Sequence, residues 1–153
     1  MEEKTLMLFM QIRERFGDIK DKVSLIKPYL DLMVFSKGWA LKIEEFEKIL
    51  SFKPEFLYKS NEEVYAISVL YRVDDDVTTG VIAHEFAEIV AREKDITDQE
   101  SIDNICVEKG FGKQLLYALQ NDLLVGIPEN VFIGMQDLER RVGRLKRMLD
   151  HQT

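Results

Sequence analysis

Residues 78–92 restrict the folds open to this chain more than any other stretch. They read Thr78-Thr79-Gly80-Val81-Ile82-Ala83-His84-Glu85-Phe86-Ala87-Glu88-Ile89-Val90-Ala91-Arg92. On a helical wheel Ile82, Ala83, Phe86, Ala87, Ile89 and Val90 cover most of the circumference, while Val81, Glu85, Glu88 and Arg92 share a face with His84. A helix that is apolar over so much of its surface belongs in the middle of a domain, with other elements packed around it. Its polar stripe must then face a cleft, a partner or solvent. The spacing predicts this helix over about 78–93.

The rest of the chain must supply the packing. At 153 residues it is long enough for one domain, 1–153, with a single core. A hydrophobic fraction of 46% and a charged fraction of 32% are those of a globular chain. The net charge of −7 argues against nucleic acid as a partner, because phosphate binding needs clustered Lys and Arg. Cys106 is the single cysteine and has no internal disulfide partner, which points to a reducing compartment. No apolar run approaches the roughly 18 residues of a membrane span, and Met1-Glu2-Glu3-Lys4 does not resemble a basic leader. The expectation is a cytoplasmic protein without a membrane partner.

Apolar periodicity predicts a helix over 2–16, stopped by Gly17, and a second over 19–27, ended by Pro28. Leu32-Met33-Val34-Phe35 reads as a short strand, Lys37-Gly38 as a turn and 43–50 as a short amphipathic helix. Residues 56–58 and 64–73 read as two strands of a hairpin turning at Ser60-Asn61-Glu62-Glu63. Asp74-Asp75-Asp76 could attract a hard cation, but acids before a helix more simply serve its cap and dipole. Thr97 and Glu100 fit a capping box opening a helix through Ile102, Ile105, Cys106 and Val107, with Gly110 as its stop. A further helix over 113–122 presents Leu115, Leu116 and Leu119, and Gly126-Ile127-Pro128 breaks the chain. The last helix, about 129–149, carries Val131, Met135, Leu138, Val142, Leu145 and Leu149 four and three residues apart. This stripe can pack on the protein's own core or form a homodimer seam. Arg140, Arg141, Arg144, Lys146 and Arg147 read as a solvated face, or as a docking site for an acidic partner. The fold class is α+β, mainly helical with a small antiparallel sheet.

His84 and Glu88, four apart, project from one side of the helix, and Glu85 flanks them. One helical turn brings two ligands to one ion, and the intervening Glu can reach the ion's water. This is the H-E-x-x-H layout with Glu88 in place of the second His. His84-Glu85-Phe86-Ala87-Glu88 in its apolar surround resembles the active-site helix of the zincin metallopeptidases, closest to a small gluzincin-like type whose second helix carries an acidic third ligand. Residues 100–112 resemble that second helix, with Glu100 and Asp103 early and a Gly-Phe turn after. The likeness covers 78–112. It implies a zincin-like fold with the strand 64–73 beside the cleft.

The third ligand stays open between Asp103, an acid among apolar neighbours that needs a partner, and Glu100, which also suits the capping box. Cys106, one turn beyond Asp103, could join a soft-metal site or simply pack. The chain departs from the zincin pattern in having only His84 and His151. The resemblance puts zinc first, but one imidazole with two carboxylates is a harder donor set than zinc usually takes, and it could also accept iron, manganese or nickel. The resemblance implies a metal-dependent, metallopeptidase-like hydrolase acting on peptide or protein, with His84, Glu88 and Asp103 or Glu100 holding the ion and Glu85 taking a proton from water. The alternative is a catalytically inactive zincin-like binding or regulatory module, dimeric through 131–149. The plainest reading is a metal-free domain in which His84, Glu85 and Glu88 are a wet helix face and Glu88 pairs with Arg92.

Overall fold

In chain order the elements are α1 (Glu2–Arg13), a 3-10 turn (Lys20–Lys22), β1 (Val23–Ile26), α2 (Leu30–Met33), β2 (Gly38–Lys42), α3 (Ile43–Leu50), β3 (Phe56–Tyr58), β4 (Tyr65–Val69), α4 (Asp75–Glu93), α5 (Gln99–Glu108), α6 (Gly112–Leu124) and α7 (Phe132–Asp150). The computed structural model describes the backbone of residues 1–34, 36–124 and 132–151, and their side chains except those of 122–124 and 132–135. The fold is α+β and mainly helical, as the sequence indicates.

The four strands lie in the order β2-β4-β1-β3. β1 runs parallel to β4, with Leu25 opposite Ile67, while β2–β4 and β1–β3 are antiparallel. The sheet is therefore mixed, and the expected hairpin of 56–58 with 64–73 does not form, because β1 lies between those strands. All four residues of β1 are buried, and so are all five of β4. Two runs without an exposed face are best placed side by side in the middle. Ser60 pins the crossover between them: its hydroxyl lies 2.9 Å from that of Ser24, and its N–H donates to the same Ser24 Oγ at 2.9 Å.

The helix expected over 19–27 is thus the 3-10 turn and β1, since a short apolar run can serve either state. Leu32 and Met33 form part of the single helical turn α2 rather than a strand, whereas Phe35 lies outside the described residues. Gly38, expected in a turn, opens β2.

The faces of the sheet alternate with period two. Leu25, Tyr65, Ile67 and Val69 join α1, α4, α5, α6 and α7 in the main core. Ile26 and Ala66 face Leu32 and Phe46 in a smaller core. α4 is the axis of the larger one. Asp74 caps it by accepting from the Val77 N–H at 2.9 Å, which satisfies one of the helix's free donors. Asp75 accepts from the Tyr71 hydroxyl at 2.5 Å and pairs with Lys4 at 3.4 Å. These partners support the capping and structural reading of Asp74 and Asp75. Phe86 is fully buried, stacked on Phe16 at 5.0 Å and against Phe9 at 5.2 Å between ring centroids.

α4 crosses α6 at Gly80. A Cβ there would stand 2.1 Å from the Gln114 carbonyl oxygen. Backbone cannot yield as a side chain can, so Gly80→Ala must push the helices apart. The expected cost is about 1–3 kcal/mol, against a helix-propensity gain of about 1 kcal/mol. Gly143→Ala in α7 is the control: its Cβ would meet only the Arg147 guanidinium at 3.5 Å. Urea unfolding should show Gly80→Ala destabilised and Gly143→Ala unchanged or more stable. Equal midpoints would mean that the α4–α6 approach is not tight.

α7 closes the main core. Val142 and Leu145 are buried in it, with Leu138, Met148 and Leu149 packed alongside. From Leu138 onward the stripe is turned into this chain's own core. Val131, the Met135 side chain and the Gly126-Ile127-Pro128 break lie outside the described residues. No described helix is long and apolar enough to cross a membrane.

Candidate metal centre

His84, Glu85 and Glu88 each offer a ligand atom, and these atoms all lie within 4.8 Å of one another. All three stand on one helix, α4. What β2 adds is the burial of Glu85, since its first residue backs onto α4 there. A Cβ on Gly38 would lie 3.0 Å from Glu85 Cγ and equally close to Val69 and Val81. A side chain there would require these neighbours to give way by a few tenths of an ångström, and the approach leaves Glu85 just 5% exposed. The three residues line a cleft of about 660 Å³, together with Trp39, Ala40 and Leu41 of β2. The strand beside the site is the sheet edge β2; of the 64–73 stretch implied by the family likeness, Arg72, beyond the end of β4, also lines the cleft.

The charges are arranged unevenly. His84 Nδ1 lies 3.5 Å from Glu85 Oε1, and its Nε2 lies 2.6 Å from the Gln99 amide nitrogen. A proton on Nδ1 makes both contacts favourable, since Nδ1 then donates to Glu85 while Nε2 accepts from Gln99. Burial opposes a charge on His84, but the Glu85 hydrogen bond and the charges of Glu85 and Glu88 outweigh it, and the imidazole is raised above its ordinary value. Burial and the neighbouring Glu85 charge push Glu88 up to about 7, against the pull of His84 and Arg141.

Glu85 Oε2 is buried and has no hydrogen-bond partner. A buried carboxylate oxygen without a donor is unfavourable. One imidazole with two carboxylates, one of them carrying this orphaned oxygen, fits a divalent cation.

The acids of the second helix are used otherwise. Asp103, 1% exposed, accepts from Arg141 Nε and Nη2 at 2.9 Å each, in a bidentate pair. It has the partner that a buried acid requires, but that partner is a guanidinium from α7 rather than a shared ion. Glu100 is exposed and pairs with Arg144 Nε at 3.2 Å. Nor does it serve as a capping acid: Asp98 caps α5 by accepting from the Ser101 N–H at 2.9 Å. Cys106 is fully buried in the main core, where burial and the Asp103 charge raise its thiol. Arg92 pairs with Glu45 of α3 at 2.8 Å rather than with Glu88.

The basic stripe of α7 is accordingly not one solvated face. Arg141 and Arg144 turn in to bind α5, whereas Arg140 stays exposed beside Asp137. The residue that α5 does bring to His84 is Gln99. A polar residue at the start of a helix carries no distinctive signal, so the sequence could not single it out. Gly38 and Arg141 were likewise hidden, since their roles rest on contacts between elements far apart in the chain. Comparison with family models, with curated proteins and with solved structures finds no match.

Proposed function

We propose that this protein is a metal-dependent hydrolase of the metallopeptidase kind, with zinc as the first choice of ion. The observation that carries the proposal is the convergence of His84, Glu85 and Glu88 within 4.8 Å at a cleft wall, with Glu85 Oε2 unpartnered. His84 and Glu88, one turn apart, would hold the ion. A bound divalent ion supplies Lewis acidity and makes its water easier to deprotonate. Glu85 Oε2 would accept a proton from the attacking water and pass it to the leaving amine.

Peptide suits the cleft because β2 is an edge of the sheet, paired among the described residues only with β4. An extended chain could add to that free edge through main-chain hydrogen bonds. With Gln99 on Nε2, the ion would take His84 through Nδ1 after that nitrogen gives up its proton, and the Gln99 amide would turn to accept from Nε2–H.

The test is chelator-stripped protein titrated with zinc, manganese, nickel and iron(II). An ion at about 100 times its dissociation constant should raise stability by about 2.7 kcal/mol. His84→Ala should abolish that gain. Glu85→Gln should keep the ion but lose peptide hydrolysis; bound metal with unchanged turnover would remove Glu85 from the base role. If no ion stabilises the wild-type chain, the proposal fails.

A second reading has one observation in its favour. Gln99 engages His84 Nε2, and Asp103 is committed to Arg141, an arrangement that also suits a binding or regulatory module without turnover. Stabilisation by metal with no hydrolysis of any peptide in a mixed library would select it.

A further inference from the structure

We propose that Gln99 is the positioning residue of the candidate metal centre: it holds the far nitrogen of the His84 ring, keeps Nδ1 aimed at Glu85, and thereby sets how tightly an ion is bound. The inference rests on the metal reading for the ion itself.

His84 is held at both ring nitrogens, but unequally. Nδ1 lies 3.5 Å from Glu85 Oε1, which is long for a hydrogen bond, and Nε2 lies 2.6 Å from the Gln99 amide nitrogen, which is short. Gln99 is thus the firmer hold, and it comes from outside α4. Glu85 and Glu88 share the helix of His84, whereas Gln99 opens α5. An imidazole tethered only to its own helix can turn about its Cβ–Cγ bond, a broad and roughly two-fold torsion. That turn would carry Nδ1 away from Glu85, and Gln99 blocks it. α5 is itself anchored. Asp98 accepts from the Ser101 N–H at 2.9 Å and from its hydroxyl at 2.7 Å, which pins the turn that carries Gln99. One turn further on, Arg141 of α7 clamps Asp103.

The residue type suits the task. An amide side chain carries both a donor and an acceptor. Without an ion, Gln99 donates to Nε2 while Nδ1–H faces Glu85. With an ion on Nδ1, the ring proton sits on Nε2, and the same amide, turned over, accepts it. Which imidazole nitrogen takes a metal is set by the hydrogen bond that the other one makes. Losing such a partner typically costs about 10–100-fold in metal affinity. An ionised glutamate at this position could only accept, and a leucine could do neither.

The test compares wild type, Gln99→Leu and Gln99→Glu as full chains, each checked for folding by circular dichroism. Zinc is titrated calorimetrically into chelator-stripped protein. Gln99→Leu should bind it about 10–100 times more weakly than wild type, and Gln99→Glu at least as tightly as wild type. The His84 tautomer is then read without metal by nitrogen-15 NMR, at a pH where the ring is neutral, with His151 as the only other histidine. Wild type should carry the ring proton on Nδ1 and Gln99→Glu on Nε2, a shift that a merely structural role for residue 99 would not produce. If Gln99→Leu does not fold, the affinity and tautomer of Gln99→Glu decide. Equal zinc affinity in wild type and Gln99→Leu overturns the inference. So does Gln99→Glu binding as weakly as Gln99→Leu, or the same tautomer in wild type and Gln99→Glu. A wild type that binds no zinc overturns the metal reading and the inference with it, whereas zinc binding indifferent to residue 99 overturns the inference alone.

Discussion

Replacing Arg141 with alanine is expected to destabilise the fold by about 3–5 kcal/mol, because it strands a buried carboxylate. The Asp103 side chain is 1% exposed and that of Arg141 15%. With both guanidinium contacts gone, Asp103 must stay charged without a partner or take up a proton. The ion pair itself need not be a large net gain, since both charges had to leave water. Replacing both residues with apolar ones, Arg141→Met with Asp103→Leu, should therefore recover much of the loss. Urea midpoints of the single and double variants measure this directly. A single variant within 1 kcal/mol of wild type would show that the pair does not hold α7 to α5. The pair also reaches the candidate site, because Arg141 lines the cleft and its charge lowers both His84 and Glu88. Arg141→Ala should thus raise the Glu88 titration still further.

Glu88 makes the metal-free protein lose stability as the pH rises. Its carboxyl titrates at 4.5 when unperturbed and at about 7 in the fold. Between those values the folded chain keeps a proton that the unfolded chain has released, so stability falls with pH across that window. At 1.36 kcal/mol per pH unit the whole interval is worth about 3 kcal/mol. His84, also raised, adds in the same direction: its contribution is complete below the ordinary histidine value and is lost as pH passes the folded one. Glu88→Gln should flatten the slope between pH 5 and 7 and leave the variant more stable than wild type at pH 8, by up to about 3 kcal/mol. Unfolding midpoints at unit intervals from pH 5 to 8 would show it. A wild-type stability that rises over this range would contradict both the direction and its cause, burial of Glu88 beside Glu85.

How legible the chain was depended on the range of the interaction involved. α4 could be read in advance because each turn repeats the same apolar surface, and its acidic cap lies next to it in sequence. α3, α5, α6 and α7 showed in the same way, with bounds shifted by a few residues. The convergence of His84, Glu85 and Glu88 was legible too, since helical geometry places residues one and four apart together. β1 was misread as helix because Val23-Ser24-Leu25-Ile26 is too short to display a period. The hairpin was misread because adjacency in sequence does not decide which strands pair when a third fully buried strand competes for the centre.

The acid on the second helix shows the division most clearly. From sequence alone, Asp103 needed a partner, and this follows from the cost of burying a charge among apolar neighbours. Whether that partner was an ion or a guanidinium could be settled only by the packing of α7, 38 residues further along the chain. The same holds for the close approach of Gly38 to Glu85 and the amide of Gln99 on His84. Local order follows from backbone geometry and periodicity, which act within a turn or two. The identity of a buried charge's partner depends on which surfaces the whole fold presses together.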